Sequence, residues 1–89
     1  MMTATGHIRV LIVDDHPGFR EGLRQCLAAR KELQVLAAVG NGEEMWRALR
    51  SHGRPHIVLM DIEMPGENGI ELTKALREKY PDVRVVMLT

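Results

Sequence analysis

Ile8-Arg9-Val10-Leu11-Ile12-Val13-Asp14-Asp15-His16-Pro17 is an almost unbroken apolar run that ends in two adjacent acids. A run this rich in β-branched residues and Leu is what a parallel strand covered on both faces requires. A second instance follows, where Ile57-Val58-Leu59-Met60 runs into Asp61-Ile62-Glu63-Met64-Pro65-Gly66. Adjacent parallel strands bring their carboxyl ends to one sheet edge, and ligands of open α/β sheets bind outside that edge. Three carboxylates collected there repel one another, which raises their pKa values unless a cation is present. An all-oxygen donor set with room for water suits Mg²⁺, whose usual task is to bind phosphates. Asp14, Asp15 and Asp61 are therefore expected to form a site for a metal ion and a phosphoryl group.

The other segments alternate as a βαβ architecture demands. Pro17 stands where the first turn of a helix tolerates it. Phe19, Leu23, Cys26 and Leu27 then recur at helical spacing, with Cys26 expected as a small core residue. Gln34 to Val39 reads as the second strand. Asn41 is placed to cap the next helix, with Glu43 and Glu44 near its positive end. Met45, Ala48 and Leu49 form that helix's apolar stripe, and Ser51-His52-Gly53-Arg54-Pro55 ends it before a third strand, Ile57 to Met60. Met64 to Gly69 is a turn-rich loop. Ile70 to Lys79 is a helix with Leu72, Ala75 and Leu76 inward, and Val83 to Leu88 is a fourth strand. The predicted order is βαβαβαβ.

Eighty-nine residues suffice for one small domain and not for two. Twelve basic and twelve acidic side chains cancel without a Lys/Arg run, which argues against direct nucleic-acid binding by this segment. One cysteine cannot close an internal disulfide, so nothing points to an oxidising compartment. No apolar stretch is long enough for a membrane span, and residues 1 to 7 lack the apolar core of a signal peptide. A cytoplasmic protein with no membrane association is the expectation.

Val13-Asp14-Asp15-His16-Pro17, Leu59-Met60-Asp61-Ile62-Glu63-Met64-Pro65-Gly66 and Val85-Val86-Met87-Leu88-Thr89 together resemble the receiver domains of two-component response regulators. The resemblance runs the length of the chain, with the three motifs in the family's order. Asp14 to Pro17 followed by Phe19-Arg20-Glu21-Gly22-Leu23 looks most like the branch whose receivers precede a helix-turn-helix DNA-binding domain. This resemblance implies a flavodoxin-like α/β fold with a parallel sheet in the strand order 2-1-3-4. It implies that Asp61 accepts a phosphoryl group from a sensor histidine kinase with the help of Mg²⁺. Asp15 would bind the metal directly and Asp14 through water, with Asp61 and the backbone carbonyl of Glu63 completing the protein's share. A carboxylate can attack phosphorus directly, and Mg²⁺ would offset charge on the transferring group. Thr89 corresponds to the hydroxyl residue that hydrogen-bonds a phosphoryl oxygen. Because the receiver is itself the thing modified, it is not expected to be an enzyme in the turnover sense.

Receivers continue past this Thr with a helix, a Lys-bearing fifth strand and a last helix. Residues 1–89 are accordingly expected to be the N-terminal portion of a receiver, with an output DNA-binding domain in the full-length protein. Val83 to Leu88 would then be an edge strand, and self-association or a homodimer through it is expected, with depressed phosphorylation of the short form. A phosphorylation-independent interaction module on the same scaffold is the alternative: the absent Lys favours it and the intact acids oppose it. An aspartate-nucleophile phosphatase of the haloacid dehalogenase type fits less well, because it wants Asp-x-Asp followed by Gly and Thr or Val. His16 can reach the mouth of the pocket. With His7, His52 and His56 placed elsewhere, however, no zinc cluster is expected.

Overall fold

Ile8–Val13 forms β1 in the interior of a four-stranded parallel sheet, with a neighbour on each side. That position explains why its apolar run is nearly continuous. The computed structural model describes residues 7–88. After β1 come α1 (Pro17–Ala28), β2 (Leu33–Val39), α2 (Gly42–His52) and β3 (Ile57–Asp61). Two-residue strands β4 (Glu63–Met64) and β5 (Glu67–Asn68) precede α3 (Gly69–Lys79) and β6 (Arg84–Leu88). The main sheet has the order β2-β1-β3-β6, all parallel. This is the expected 2-1-3-4 order, with β6 as the fourth strand. The chain moves first to one side of β1 and then to the other, which puts the topological switch point at the carboxyl ends of β1 and β3.

Alternation along the strands assigns side chains to opposite faces. Leu11, Val13, Val58 and Met60 join Met45, Leu49 and Leu76 in the core between the sheet and α2 and α3. The other face is covered by α1, which lies against β2 and β1. There Ile12 is fully buried, whereas Val86, two strands away in the same register row, is 42 % exposed.

The helices keep their predicted places with two rotations. Asn41 caps α2 by accepting the Glu44 N–H at 2.8 Å, and Asn68 caps α3 by accepting the Ile70 N–H at 2.8 Å. In α1 the half-buried positions are Arg20, Leu23, Arg24 and Leu27, while Phe19 and Cys26 are exposed. Cys26 is therefore a surface thiol and not a core residue. The helix packs chiefly against β2, with Leu23 and Leu27 on the inward side beside Arg20, whose guanidinium donates to the Asp14 carbonyl at 2.7 Å. In α3, Ala75 is exposed and Thr73 is partly buried, with the Thr73 hydroxyl donating to the Gly69 carbonyl at 2.8 Å.

The predicted loop after β3 has more order than its turn residues implied. Glu63 pairs with Asn68 and Met64 with Glu67 in a small antiparallel ribbon. Pro65-Gly66 makes its turn, Gly66 taking the positive φ of 75° that the third residue of a type II turn demands. At the opposite, amino edge of the main sheet, Arg9 donates its N–H to His56 Nδ1 at 2.9 Å and its guanidinium to the Arg54 carbonyl at 3.1 Å. Arg54 pairs with Asp82 at 2.8 Å and lies over the Tyr80 ring. Arg9, Arg54 and Arg84 line one cleft there, with Asp82 the one carboxylate among its lining residues.

Two glycines give opposite expectations. A Cβ at Gly69 would collide with the Asp61 carbonyl oxygen, which is backbone and cannot swing away. Gly69→Ala should lower stability by roughly 1–3 kcal/mol. Gly22 lies inside α1, and an added methyl group there would meet nothing within 4 Å. Gly22→Ala should raise stability by roughly 0.5–1 kcal/mol. Urea unfolding of the two variants beside the parent checks both signs.

Candidate functional site

The ends of β1 and β3 are built alike. Past Val13 the ladder continues for one bond, the Asp14 N–H donating to the Val39 carbonyl at 2.9 Å. Pro17 disfavours a helical residue before it, and His16 is extended, with φ −95° and ψ 103°. In that conformation the His16 N–H reaches the Asp14 carboxylate at 2.7 Å. Asp61 repeats the pattern, its Oδ1 accepting the Glu63 N–H at 3.1 Å. Both aspartates thus close turns onto the N–H two residues ahead, a habit of Asx side chains. The turns hold the two carboxylates in fixed orientation at neighbouring strand ends.

Asp14 and Asp61 are buried, at 3 % and 8 % exposure, and Asp15 is half-buried. Among the described residues, Asp15 Oδ1 and Asp61 Oδ2 are buried without a hydrogen-bond partner. Leaving a carboxylate oxygen so placed is costly. Burial raises the Asp61 carboxyl above its ordinary value; the Glu63 N–H works against that rise, and the charges of Asp14 and Asp15 add to it. His16 lies over the cluster, and its hydrogen bond to Asp14, together with the charge of Asp15, raises the imidazole above its ordinary value.

Beside the acids opens a cleft of about 660 Å³ bordered by Asp15, His16, Glu63, Pro65, Glu67 and Ile70. A smaller hollow of about 190 Å³ is bordered by Asp61, Ile62, Glu63 and Leu88. The Glu63 side chain is exposed, as expected of a residue whose predicted part is played by its carbonyl. Leu88 is the register partner of Asp61. Thr89, the next residue, lies outside the described residues. Glu67 reaches back across the fold to accept the Gly42 N–H at 2.8 and 3.1 Å, which ties the loop after β3 to the start of α2.

The structure brings together all three predicted aspartates, bears out the reach of His16 to the pocket, and adds Arg20. Arg20 holds the Asp14 main chain from α1. His16 places Nδ1 within 3.1–3.5 Å of one oxygen from each aspartate. No periodicity marks either residue. The available signal was position alone, Arg20 one helical turn from the acids and His16 directly after them.

The fold and the site define an open α/β domain with an acidic centre at its switch point. Residues 10–89 match the response regulator receiver domain, and the chain belongs to that family. The transcriptional regulatory protein DegU of Brevibacillus brevis is 42% identical over 82 residues, which cover 92% of this chain and 34% of DegU. A LuxR-family two-component response regulator from Aurantimonas sp. SI85-9A1 superposes with a TM-score of 0.81 at 36% identity, covering 91% of this chain and 57% of that one. The response regulator TrrA of Thermotoga maritima, solved in complex with Mg(2+)-BeF, superposes with a TM-score of 0.78 at 38% identity, covering 91% and 68%. The chain thus spans about a third of the length of the DegU relative. Receiver domains bind Mg²⁺ at an acidic site, and the two unpartnered buried oxygens here are a donor set that fits such an ion. Among the described residues, no helix is long and apolar enough to cross a membrane.

The raised Asp61 carboxyl has a consequence for stability. An acid whose folded-state pKa is raised holds its proton more tightly folded than unfolded. Its contribution is most favourable below the unfolded pKa and is lost as pH rises toward the folded value. Without divalent cations, Asp61 should therefore weaken the fold as pH climbs out of the ordinary carboxylate range. Asp61→Asn should stabilise the metal-free protein at neutral pH and flatten that part of the pH profile. Urea unfolding at acid and neutral pH in the presence of a chelator measures it, and a variant less stable than the parent at neutral pH contradicts it.

Proposed function

We propose that this domain accepts one phosphoryl group on Asp61 from a sensor histidine kinase and passes the change to a DNA-binding output domain of the full-length protein. The observation that carries the proposal is the state of Asp61: a buried carboxylate at the end of β3, fixed through one oxygen by the Glu63 N–H and unpartnered at the other. A nucleophile so held pays little further orientational cost when a phosphodonor arrives.

The Asp61 carboxylate attacks phosphorus while the bond from phosphorus to the donor nitrogen breaks. The electron pair leaves with that nitrogen, and the product is an acyl phosphate on Asp61. Asp15 and Asp61 would bind Mg²⁺ directly, Asp14 would hold it through water, and the Glu63 carbonyl would supply the remaining protein ligand. When bound, the ion supplies positive charge to the oxygens of the group in transit. The turns at Asp14 and Asp61 keep the acids in place throughout, and the tether from Glu67 to Gly42 restrains the loop that carries Glu63. Thr89, following the register partner of Asp61, would hydrogen-bond a phosphoryl oxygen. One group is accepted per domain, so the chemistry is stoichiometric modification and not turnover. Relatives named as transcriptional regulators support a DNA-binding output, and the balanced charge of this segment supports placing DNA contact outside it.

In the full-length protein, acetyl phosphate with Mg²⁺ should give one acid-stable, base-labile phosphoryl adduct. Asp61→Asn should abolish it, because an amide is a poor nucleophile. Asp15→Asn should remove most of the Mg²⁺ dependence while leaving the fold intact. Intact-protein mass spectrometry reads the adduct, and one phosphoryl group retained on the Asp61→Asn variant would show the acceptor to be elsewhere.

A further inference from the structure

The imidazole of His16 has no part in the function proposed above, yet it faces the whole acidic cluster. Its Nδ1 lies 3.1 Å from Asp14 Oδ1, 3.2 Å from Asp15 Oδ1 and 3.5 Å from Asp61 Oδ2. The last two are the buried oxygens without a hydrogen-bond partner. One ligand atom from each of Asp14, Asp15, His16 and Asp61 can be chosen so that all lie within 4.8 Å of one another. In an octahedral shell with bonds of about 2.1 Å, neighbouring donors stand about 3.0 Å apart and opposite donors about 4.2 Å. The separations of His16 Nδ1 from the Asp15 and Asp61 oxygens, 3.2 and 3.5 Å, are close to the spacing of neighbouring donors in that shell. We infer that His16 is a nitrogen ligand of the acidic centre, one that makes it favour a borderline divalent transition ion over Mg²⁺.

The inference rests on reading the aspartates as a cation site, and it concerns which cation they prefer. Carboxylates alone are hard oxygen donors suited to Mg²⁺ and Mn²⁺, whereas an imidazole nitrogen suits ions of the Co²⁺, Ni²⁺ and Zn²⁺ group. Mg²⁺ gains little from it, since it keeps water and oxygen in preference. The ring is pre-positioned by the backbone, because Pro17 and the bond from the His16 N–H to Asp14 fix the residue that bears it. Its side chain is 67 % exposed, so a ligating ring would leave the outer side of the ion open to water or a phosphoryl oxygen. The other described histidines are placed differently: His56 Nδ1 accepts the Arg9 N–H at the opposite sheet edge.

A competing account makes His16 a protonated counter-charge that a metal ion must displace. The two accounts differ in what removing the ring does. Calorimetric titration of Mg²⁺ and of Co²⁺ into the parent, His16→Ala and His16→Asn proteins gives the Co²⁺-to-Mg²⁺ affinity ratio for each. Ligation by His16 requires that ratio to fall by about tenfold in both variants, with Mg²⁺ affinity nearly unchanged. It also requires hyperfine-shifted imidazole proton signals in the Co²⁺ form of the parent that both variants lack. An unchanged ratio, or affinity for both ions rising together, overturns the role of His16 and leaves the aspartate site standing. Co²⁺ binding that survives Asp15→Asn belongs to other histidines and also overturns the assignment. A parent protein that binds neither ion overturns both the cation site and its ligand.

Discussion

Electrostatic repulsion among three carboxylates at the switch point is the constraint around which this domain is arranged. Parallel pairing of β1 with β3 puts Asp14 and Asp61 at adjacent strand ends, and nothing in the strands themselves relieves the charge. Relief comes from main-chain donors: the N–H groups of His16 and Glu63 each take one carboxylate oxygen. It is incomplete, since buried oxygens of Asp15 and Asp61 stay unpartnered among the described residues. A fold that keeps acids together in this way gives up some stability for a site able to gather positive charge.

The supports of the site come from every quarter of the sequence. Arg20 reaches in from α1, Glu67 reaches out to α2, and Gly69 lets α3 begin against the Asp61 carbonyl. The loop after β3 is therefore held at several points: the ribbon pairing of Glu63 with Asn68, the Glu67 tether and the α3 cap. The Glu63 N–H bonds Asp61, and the same loop is joined to α2 through Glu67 and to α3 through Asn68. That is the kind of two-element coupling a switching domain needs.

Much of this was legible in the residues. Continuous apolar runs marked β1 and β3, the cap at Asn41 and the stop at Gly53-Arg54-Pro55 bounded α2, and the acids declared the active edge. Strand order came from the resemblance, because periodicity does not encode which strands are neighbours. Where the expectation failed, a long-range contact had overridden a local pattern. Phe19 and Cys26 belong to an apolar stripe by spacing, but packing of α1 against β2 takes Leu23 and Leu27 inward and leaves the first two exposed. Ala75 is exposed, and Thr73, whose hydroxyl is 3.4 Å from Met87 Sδ in β6, is partly buried in its place. The β4–β5 ribbon was hidden because strands of two residues leave no alternation to read, only the turn between them. The part of Arg20 at the site was hidden because it lies in where a long side chain ends. His16 was placed at the pocket mouth without its approach to all three acids.

The arginine cluster at the amino edge changes how a molecule with no formal net charge looks from outside. Arg9, Arg54 and Arg84 stand against Asp82 at one edge of the sheet, while Asp14, Asp15 and Asp61 gather at the other with His16 and Arg20 beside them. Arg9 and Asp14 stand at opposite ends of β1, about 17 Å apart at roughly 3.3 Å per residue, which is about twice the screening length of about 8 Å at physiological ionic strength. An approaching macromolecule therefore never meets the average. It meets a cationic edge or an acidic one, a separation of charge of the kind that orients charged partners on approach.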